Sequence, residues 1–107
     1  MQFIETPTFT RLVTELLTDD EYRLFQLVLA EYPERGDLIQ GSHGLRKIRV
    51  AAKGRGKRGG ARVIYYWMTA RGQIYLLVIY PKNRKDNLTA DEVAALGVLA
   101  EKELSHG

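Results

Sequence analysis

The first third of the chain predicts a short strand followed by two amphipathic helices. Residues Gln2 to Glu5 alternate as an opening edge strand does. Apolar residues then recur at helical spacing after Thr6-Pro7-Thr8, where a proline early in a helix does little harm. Thr18 and Glu21 have the spacing of a capping box, which marks the start of a second helix. Pro33 marks the end of that helix.

The hydrophobic period changes from 3.6 to 2 beyond a glycine-punctuated loop at Asp37 to Gly44. In the strand predicted over Leu45 to Ala52, Ile48 and Val50 point to one face and the basic residues between them point to the other. Two β-branched and aromatic runs follow, and their near-continuous apolar character predicts central strands that are covered on both faces. These runs are Val63 to Met68 and Gln73 to Tyr80.

A second capping box, Thr89 with Glu92, starts a final helix. The predicted order is therefore β-α-α-β-β-β-α, which is an α+β fold with helices packed against one small antiparallel sheet. A chain of 107 residues is too short for two compact cores, so a single domain over residues 1–107 is expected.

The net charge of +3 conceals a strongly cationic middle. Residues 38–85 contain twelve Lys or Arg and no Asp or Glu, whereas the flanks hold four basic and all thirteen acidic residues. This separation predicts a polyanionic partner. The absence of cysteine excludes disulfides, thiolate zinc sites and cysteine nucleophiles. No run of about eighteen apolar residues and no signal-peptide pattern is present, so we expect a cytoplasmic protein without a membrane partner.

The charge is densest in a glycine-rich segment, where eight basic residues occupy the seventeen positions from Arg46 to Arg62. Gly54 to Gly59 matches G-x-G-x-x-G, but a predicted strand follows instead of a helix, which excludes a dinucleotide-binding turn. Two interpretations remain, a contact with an RNA or DNA backbone and a solvated hairpin.

Neither a metal triad nor a Ser-His-Asp arrangement is indicated by the residues present, and no cofactor is implied. Metal-free RNA cleavage requires a base for the 2′-hydroxyl, charge stabilisation at phosphorus and an acid for the leaving oxygen. Lysine and arginine side chains can supply these functions. The cationic cluster alone is equally compatible with a nuclease and with a passive binder.

Three motifs follow one another through the cationic middle: Gly44-Leu-Arg-Lys-Ile-Arg-Val50, Gly59-Gly-Ala-Arg-Val-Ile-Tyr-Tyr66 and Tyr80-Pro-Lys-Asn83. In this order they resemble the RelE/HigB toxins of type II toxin–antitoxin modules, and most closely the HigB-like branch with G-L-R-K-I-R-V and R-V-I-Y-Y. The similarity runs from about Glu21 to Thr89.

The resemblance implies a RelE-like fold and an endoribonuclease that enters the ribosomal A site and cuts mRNA during translation. It also implies a cognate helix-turn-helix antitoxin, with operator DNA contacted only by the toxin–antitoxin complex. Carried over to this sequence, Arg49 and Arg62 are predicted to stabilise phosphate charge. Lys47 or Lys82 is predicted to transfer protons.

Further residues are predicted to bind mRNA or rRNA: Arg46, Lys53, Arg55, Lys57, Arg58, Tyr66, Tyr80 and Arg84. The chain departs from the family in one respect, because no tyrosine follows Tyr80 and the nearest late histidine is His106. The alternatives are a ParE-like gyrase inhibitor and a non-catalytic RNA- or ribosome-binding domain.

Overall fold

The structure, a computed structural model, describes residues 1–51, 60–82 and 89–106. Over these ranges the chain forms a five-stranded sheet, three α-helices and one 3₁₀ turn at Thr69–Arg71. The strands are β1 (Gln2–Glu5), β2 (Asp37–Leu38), β3 (Leu45–Val50), β4 (Ala61–Met68) and β5 (Gln73–Pro81). The helices are α1 (Pro7–Leu16), α2 (Asp19–Glu31) and α3 (Ala90–His106). None of these helices is long and apolar enough to cross a membrane.

Side-chain caps start the helices where the sequence predicts them. The Thr18 hydroxyl accepts a hydrogen bond from the Glu21 N–H at 3.1 Å, and the Glu21 carboxylate accepts one from the Thr18 N–H at 2.9 Å. Thr89 and Glu92 make the same reciprocal pair at the start of α3. Because each cap satisfies two backbone donors that lack intrahelical partners, both capping-box predictions are confirmed.

The order of strands across the sheet is β1-β5-β4-β3-β2. The α+β class is confirmed, and the predicted helices and strands occur in the predicted order with one additional strand, β2, but the sheet is mixed, because β1 runs parallel to β5. The prediction of a wholly antiparallel sheet was wrong in this respect. Alternation within Gln2–Glu5 identifies a strand but carries no information about the direction of a partner 71 residues away.

A second correction concerns the glycine-punctuated loop, which begins with the two-residue strand β2. Asp37 pairs with Lys47 and Leu38 with Arg46 in an antiparallel ladder at the edge of the sheet. Two residues are too few to show a period of 2, so the sequence pattern could not identify this strand.

The two faces of the sheet bury separate hydrophobic clusters. Helices α1 and α2 cover one face, which includes Ile48, Val50 and Val63. Helix α3 packs on the other face against Leu45 and Tyr75, so the central strands β4 and β5 are covered on both faces as predicted. On the same face as Leu45, the side chains of Lys47, Arg49 and Arg62 line an open cleft.

Glu5 joins β1 to both N-terminal helices. Its carboxylate accepts hydrogen bonds from the Thr10 hydroxyl and from the Tyr22 phenol. Burial, together with the hydrogen bond to Glu5 and its negative charge, raises the pKa of Tyr22 well above its usual value. The folded protein therefore binds the phenolic proton more tightly than the unfolded chain does.

We expect Tyr22 to make folding stability sensitive to alkaline pH. The stabilisation is complete below the unfolded tyrosine pKa of about 10 and is lost as the pH rises above it, by about 1.4 kcal/mol per pH unit for one proton. Urea unfolding between pH 8 and 11 measures this slope, and Tyr22→Phe should reduce it by close to one proton. An unchanged slope in Tyr22→Phe would contradict the prediction.

Candidate nucleic-acid interface

Four basic side chains, those of Lys47, Arg49, Arg62 and Lys82, line one open cleft together with Asp37. The cleft has a volume of about 390 Å³ and is called the cationic cleft below. It lies on the same face of the sheet as α3, where Arg49 and Arg62 pair in the β3–β4 ladder. The four residues that the sequence predicted to act together are therefore adjacent in space, although they come from three separate parts of the chain.

Strand alternation and register place these side chains. Ile48 and Val50 are buried under α1 and α2, so Lys47 and Arg49 project to the opposite face, as predicted. Arg49 and Arg62 are directly opposite each other in the β3–β4 ladder. Like charges at such a position disfavour folding, and an anion bound between the two guanidinium groups would offset their repulsion.

Lys82 follows β5 and is hydrogen-bonded to Gly60, the residue before β4. Its N–H donates to the Gly60 carbonyl at 3.2 Å. Gly60 has φ +78°, and a Cβ at this position would lie 2.1 Å from the Val50 carbonyl oxygen. A glycine is therefore required at position 60, directly before β4. The hydrogen bond from Lys82 to the carbonyl of this glycine holds Lys82 beside the cleft.

Arg62 is the most deeply placed cation of the cleft, with 8% of its surface exposed. Its Nη1 atom is buried and has no hydrogen-bond partner among the residues that the structure describes. A buried guanidinium with an unsatisfied donor is costly unless a partner of opposite charge reaches it. The planar array of guanidinium donors matches the oxygens of a phosphate, so the geometry favours a phosphate-bearing ligand.

Asp37 is the one carboxylate among the described residues that line the cleft, and it is not among the residues predicted from the sequence. Its position opposite Lys47 in the β2–β3 ladder puts both side chains on the same face. The sequence gives little indication that Asp37 belongs to a strand. The strand has only two residues, and the loop that follows it contains two glycines. Only the pairing of β2 with β3 identifies it.

The buried side chain of Tyr65 holds the segment that leads into β2. The Tyr65 hydroxyl donates to the Pro33 carbonyl at 2.7 Å and accepts from the Gly36 N–H at 2.9 Å. Burial raises the pKa of this phenol, so it stays protonated and keeps both bonds. Arg46 donates to the carbonyls of Glu34 and Gly36 at 3.0 and 2.7 Å. These bonds set the position of Asp37.

A family model described as RelE toxin of the RelE/RelB toxin–antitoxin system matches residues 3–106. The chain belongs to the RelE toxin family. The toxin RelE of E. coli, an arginine double mutant in the free state, has a similar fold with a TM-score of 0.59 at 13% identity. That match covers 92% of this chain and 95% of the other.

Two structures of complexes have the same fold. The intact E. coli RelBE toxin–antitoxin complex matches with a TM-score of 0.57 at 12% identity, over 75% of this chain and 94% of the other. The archaeal RelE–RelB complex from Pyrococcus horikoshii OT3 matches with a TM-score of 0.50 at 23% identity, over 78% and 97%. At these identities the likeness establishes the fold of this RelE-family chain and not its residue roles.

The other residues predicted to contact RNA are distributed differently. Tyr66 is half-buried and lines a separate cavity of about 200 Å³ with His43 and α3. Tyr80 is 7% exposed and packs in the cluster beneath α3. The guanidinium of Arg46 donates to the backbone carbonyls of Glu34 and Gly36. The structure therefore does not bring these three predicted residues to the lining of the cationic cleft.

The basic hairpin residues Lys53, Arg55, Lys57 and Arg58, and Arg84 after β5, lie outside the described residues. They remain predicted RNA contacts on the evidence of the sequence. Within the described ranges, no three His, Cys, Asp or Glu side chains are grouped as metal ligands.

Proposed function

We propose that this RelE-family chain is a HigB-like toxin of the cytoplasm that cuts mRNA on the translating ribosome without a metal ion or other cofactor. The observation that carries the proposal is the buried Arg62, whose Nη1 has no described partner, in a cleft with three further cations. Such a cleft favours a phosphodiester over a neutral ligand. Membership of the RelE toxin family supports RNA cleavage as the function of this cleft.

The proposed reaction is an in-line displacement at phosphorus by the neighbouring 2′-oxygen. A base removes the 2′-hydroxyl proton, the 2′-oxygen forms a bond to phosphorus, and the bond to the 5′-oxygen breaks. An acid then protonates the 5′-oxygen, which leaves a 2′,3′-cyclic phosphate and a 5′-hydroxyl. Negative charge accumulates on the non-bridging oxygens between attack by the 2′-oxygen and departure of the 5′-oxygen. Cations stabilise this charge most when the fold holds them in position before the reaction begins.

The positions of the cleft side chains support a division of these tasks. Arg62 lies on β4, with Lys47 on the neighbouring strand β3 and Lys82 at the end of β5 on the other side. A phosphate bound at Arg62 and Arg49 is thus flanked by the two lysines. In-line chemistry places the attacking and leaving oxygens on opposite sides of phosphorus, so one lysine serves each oxygen.

We propose a helix-turn-helix antitoxin as the partner that neutralises this activity, with operator DNA bound only through the complex. The related structures from E. coli and Pyrococcus horikoshii are RelE–RelB complexes, which supports a protein inhibitor for this chain. The toxin itself is proposed to contact rRNA and mRNA in the A site.

In vitro translation followed by primer extension tests the proposed function. We expect cleavage within codons of the translated mRNA when ribosomes are present and intact mRNA when they are omitted. Intact mRNA combined with loss of gyrase supercoiling would favour the ParE-like alternative. Ribosome binding without cleavage would favour a passive RNA-binding domain.

Asp37→Asn is expected to tighten RNA binding by about 2- to 5-fold, because it removes the one described negative charge that lines the cleft, at a solvent-exposed position. Fluorescence anisotropy with a short single-stranded RNA measures the change. Glu15→Gln, on the exposed side of α1, removes the same charge outside the cleft and serves as the control. Equal affinities of Asp37→Asn and the wild type would show that the RNA does not reach Asp37.

A further inference from the structure

A small cavity lies between helix α3 and the part of the sheet where β3 begins. Its volume is about 200 Å³, below the roughly 300–1,000 Å³ of sites that hold drug-sized ligands. We call it the α3 pocket. Its size suits one flat ring system and is too small for a longer ligand. The lining includes His43, Leu45, Tyr66, Gly97 and Glu101.

Gly97 keeps the α3 pocket open. It lies in the middle of α3, where a glycine lowers helix stability relative to alanine. Nothing lies within 4 Å of a Cβ built at this position, so close packing does not require the glycine. A larger residue at position 97 would instead occupy the pocket. A ligand that needs this space therefore accounts for the glycine.

Two rings in the lining can stack on a flat ligand. The Tyr66 ring is half-buried and packs against Gly44, where a Cβ would lie 3.0 Å from it. His43 has φ +60°, which residues other than glycine seldom adopt. The Ser42 hydroxyl accepts from the Leu45 N–H at 3.0 Å and so closes the turn that contains His43. Tyrosine and histidine are side chains on which proteins stack the bases of single-stranded RNA.

The carboxylate of Glu101 selects the kind of ring, because it offers two acceptor oxygens and no donor. It repels a phosphate, and the four cations of the cleft on the same face of the sheet repel a cationic ligand. Guanine presents donors on two adjacent nitrogens of its Watson–Crick edge, N1 and N2, whereas each other RNA base presents donors on one nitrogen only. Guanine therefore pairs with both carboxylate oxygens.

The α3 pocket and the cationic cleft follow one another along the same strands. Tyr66 and Arg62 are four residues apart on β4, so their side chains lie on one face about 13 Å apart. Lys47 lies between them on β3, opposite Ile64. An RNA strand with a phosphate at Arg62 can therefore pass Lys47 and place a nearby base at Tyr66. We propose that the α3 pocket binds a guanine base of the mRNA near the phosphate that is cut, an inference that rests on the proposed function.

Binding of uncleavable RNA to the full chain tests the pocket. The probe is a short uridine RNA with 2′-methoxy groups and one central guanosine. Two matched RNAs carry uridine or inosine at that position, and inosine lacks the N2 amino group. We expect the guanosine RNA to bind about 10-fold more tightly than the uridine RNA and about 3-fold more tightly than the inosine RNA. Fluorescence anisotropy measures the three dissociation constants, and equal constants or no binding by the wild type would overturn the proposal.

Gly97→Leu is expected to fill the pocket and to remove the preference for guanosine. Leucine favours a helix more than glycine does, so the variant should unfold at the same urea concentration as the wild type or at a higher one. Ala95→Leu introduces the same side chain at an exposed position of α3 outside the pocket lining and should keep the 10-fold preference. A guanosine preference that persists in Gly97→Leu would contradict the proposal.

Glu101→Gln keeps the shape of the side chain but leaves one acceptor oxygen, so it should lower the guanosine preference to about 2-fold. The ratio between the guanosine and uridine RNAs is the readout, because loss of a negative charge strengthens the binding of every RNA. Glu15→Gln, at an exposed position of α1, removes the same charge outside the pocket and should keep the full ratio. Equal ratios in the two variants would show that Glu101 does not read the base.

The positions of the cuts in the translation assay separate this inference from the proposed function. The wild type should cut mainly near guanosine, and Gly97→Leu should lose that preference. Cuts that ignore guanosine, combined with guanosine-dependent binding of the probe, would assign the pocket to a base of rRNA and overturn its role in mRNA recognition. Absence of cleavage by the wild type would refute the proposed nuclease, whereas the binding ratios would still decide whether the pocket takes guanine.

Discussion

Replacement of Arg62 by alanine is expected to lower the rate of ribosome-dependent mRNA cleavage by about 100- to 1,000-fold, the usual effect of removing one preorganised group that stabilises transition-state charge. The physical reason is the burial of Arg62, which gives its guanidinium a fixed position and a low local dielectric. Primer extension on a defined mRNA, under single-turnover conditions, measures the loss.

The stability of the same variant separates a binding role from a structural one. Arg62 faces Arg49 across the ladder, and its Nη1 lacks a described partner. Its removal should therefore change the free energy of unfolding by no more than about 1 kcal/mol. Arg62→Lys keeps the charge but loses the planar array of donors, so its rate should fall between those of alanine and wild type.

Arg71→Ala provides a matched control, because Arg71 is an exposed arginine that does not line the cleft. It should cleave mRNA at the wild-type rate. If Arg62→Ala kept full activity, or if Arg71→Ala lost as much as Arg62→Ala, the assignment of phosphate binding to the cationic cleft would be wrong.

Gly60→Ala is expected to lower the free energy of unfolding by roughly 2–4 kcal/mol, through the positive φ and the close backbone approach. The added Cβ would lie 2.1 Å from the Val50 carbonyl oxygen, a contact that only a backbone shift relieves. In a domain of this size, the melting temperature should fall by about 10 °C or more. Cleavage should fall too, since the Gly60 carbonyl holds Lys82.

Gly72→Ala isolates the conformational part of this effect. Gly72 has φ +61°, but nothing lies within 4 Å of a Cβ built there. Its replacement should cost only about 1 kcal/mol, from the left-handed conformation alone. Similar losses in the two variants, measured by urea unfolding, would show that the contact with Val50 is relieved at little cost.

The sequence was most informative where the interactions are local. Thr18 with Glu21 and Thr89 with Glu92 are three residues apart, and both pairs form the predicted caps. The alternation of Ile48 with Lys47 likewise identified the buried and exposed faces of β3, because a strand repeats every two residues. The predicted clustering of four cations followed from this alternation and from the family resemblance.

Features that depend on distant pairing were beyond the sequence pattern. The parallel partnership of β1 with β5 joins residues 71 positions apart, and the short β2 has no periodicity of its own. Asp37 lines the cleft because β2 pairs with β3. The burial of Tyr80 also depends on distant pairing. Its aromatic side chain was predicted from the sequence to contact RNA, but it is buried in the cluster beneath α3.

The sequence by itself determined where the helices begin, which face of β3 is basic and that the middle of the chain carries a high positive charge. The tertiary structure alone decided that Arg49 and Arg62 stand opposite each other, that Lys82 reaches them and that Arg62 is buried. Charge and periodicity are properties of neighbouring residues, which the chain carries in any conformation. Register and burial arise only when strands that are far apart in sequence pair and exclude water.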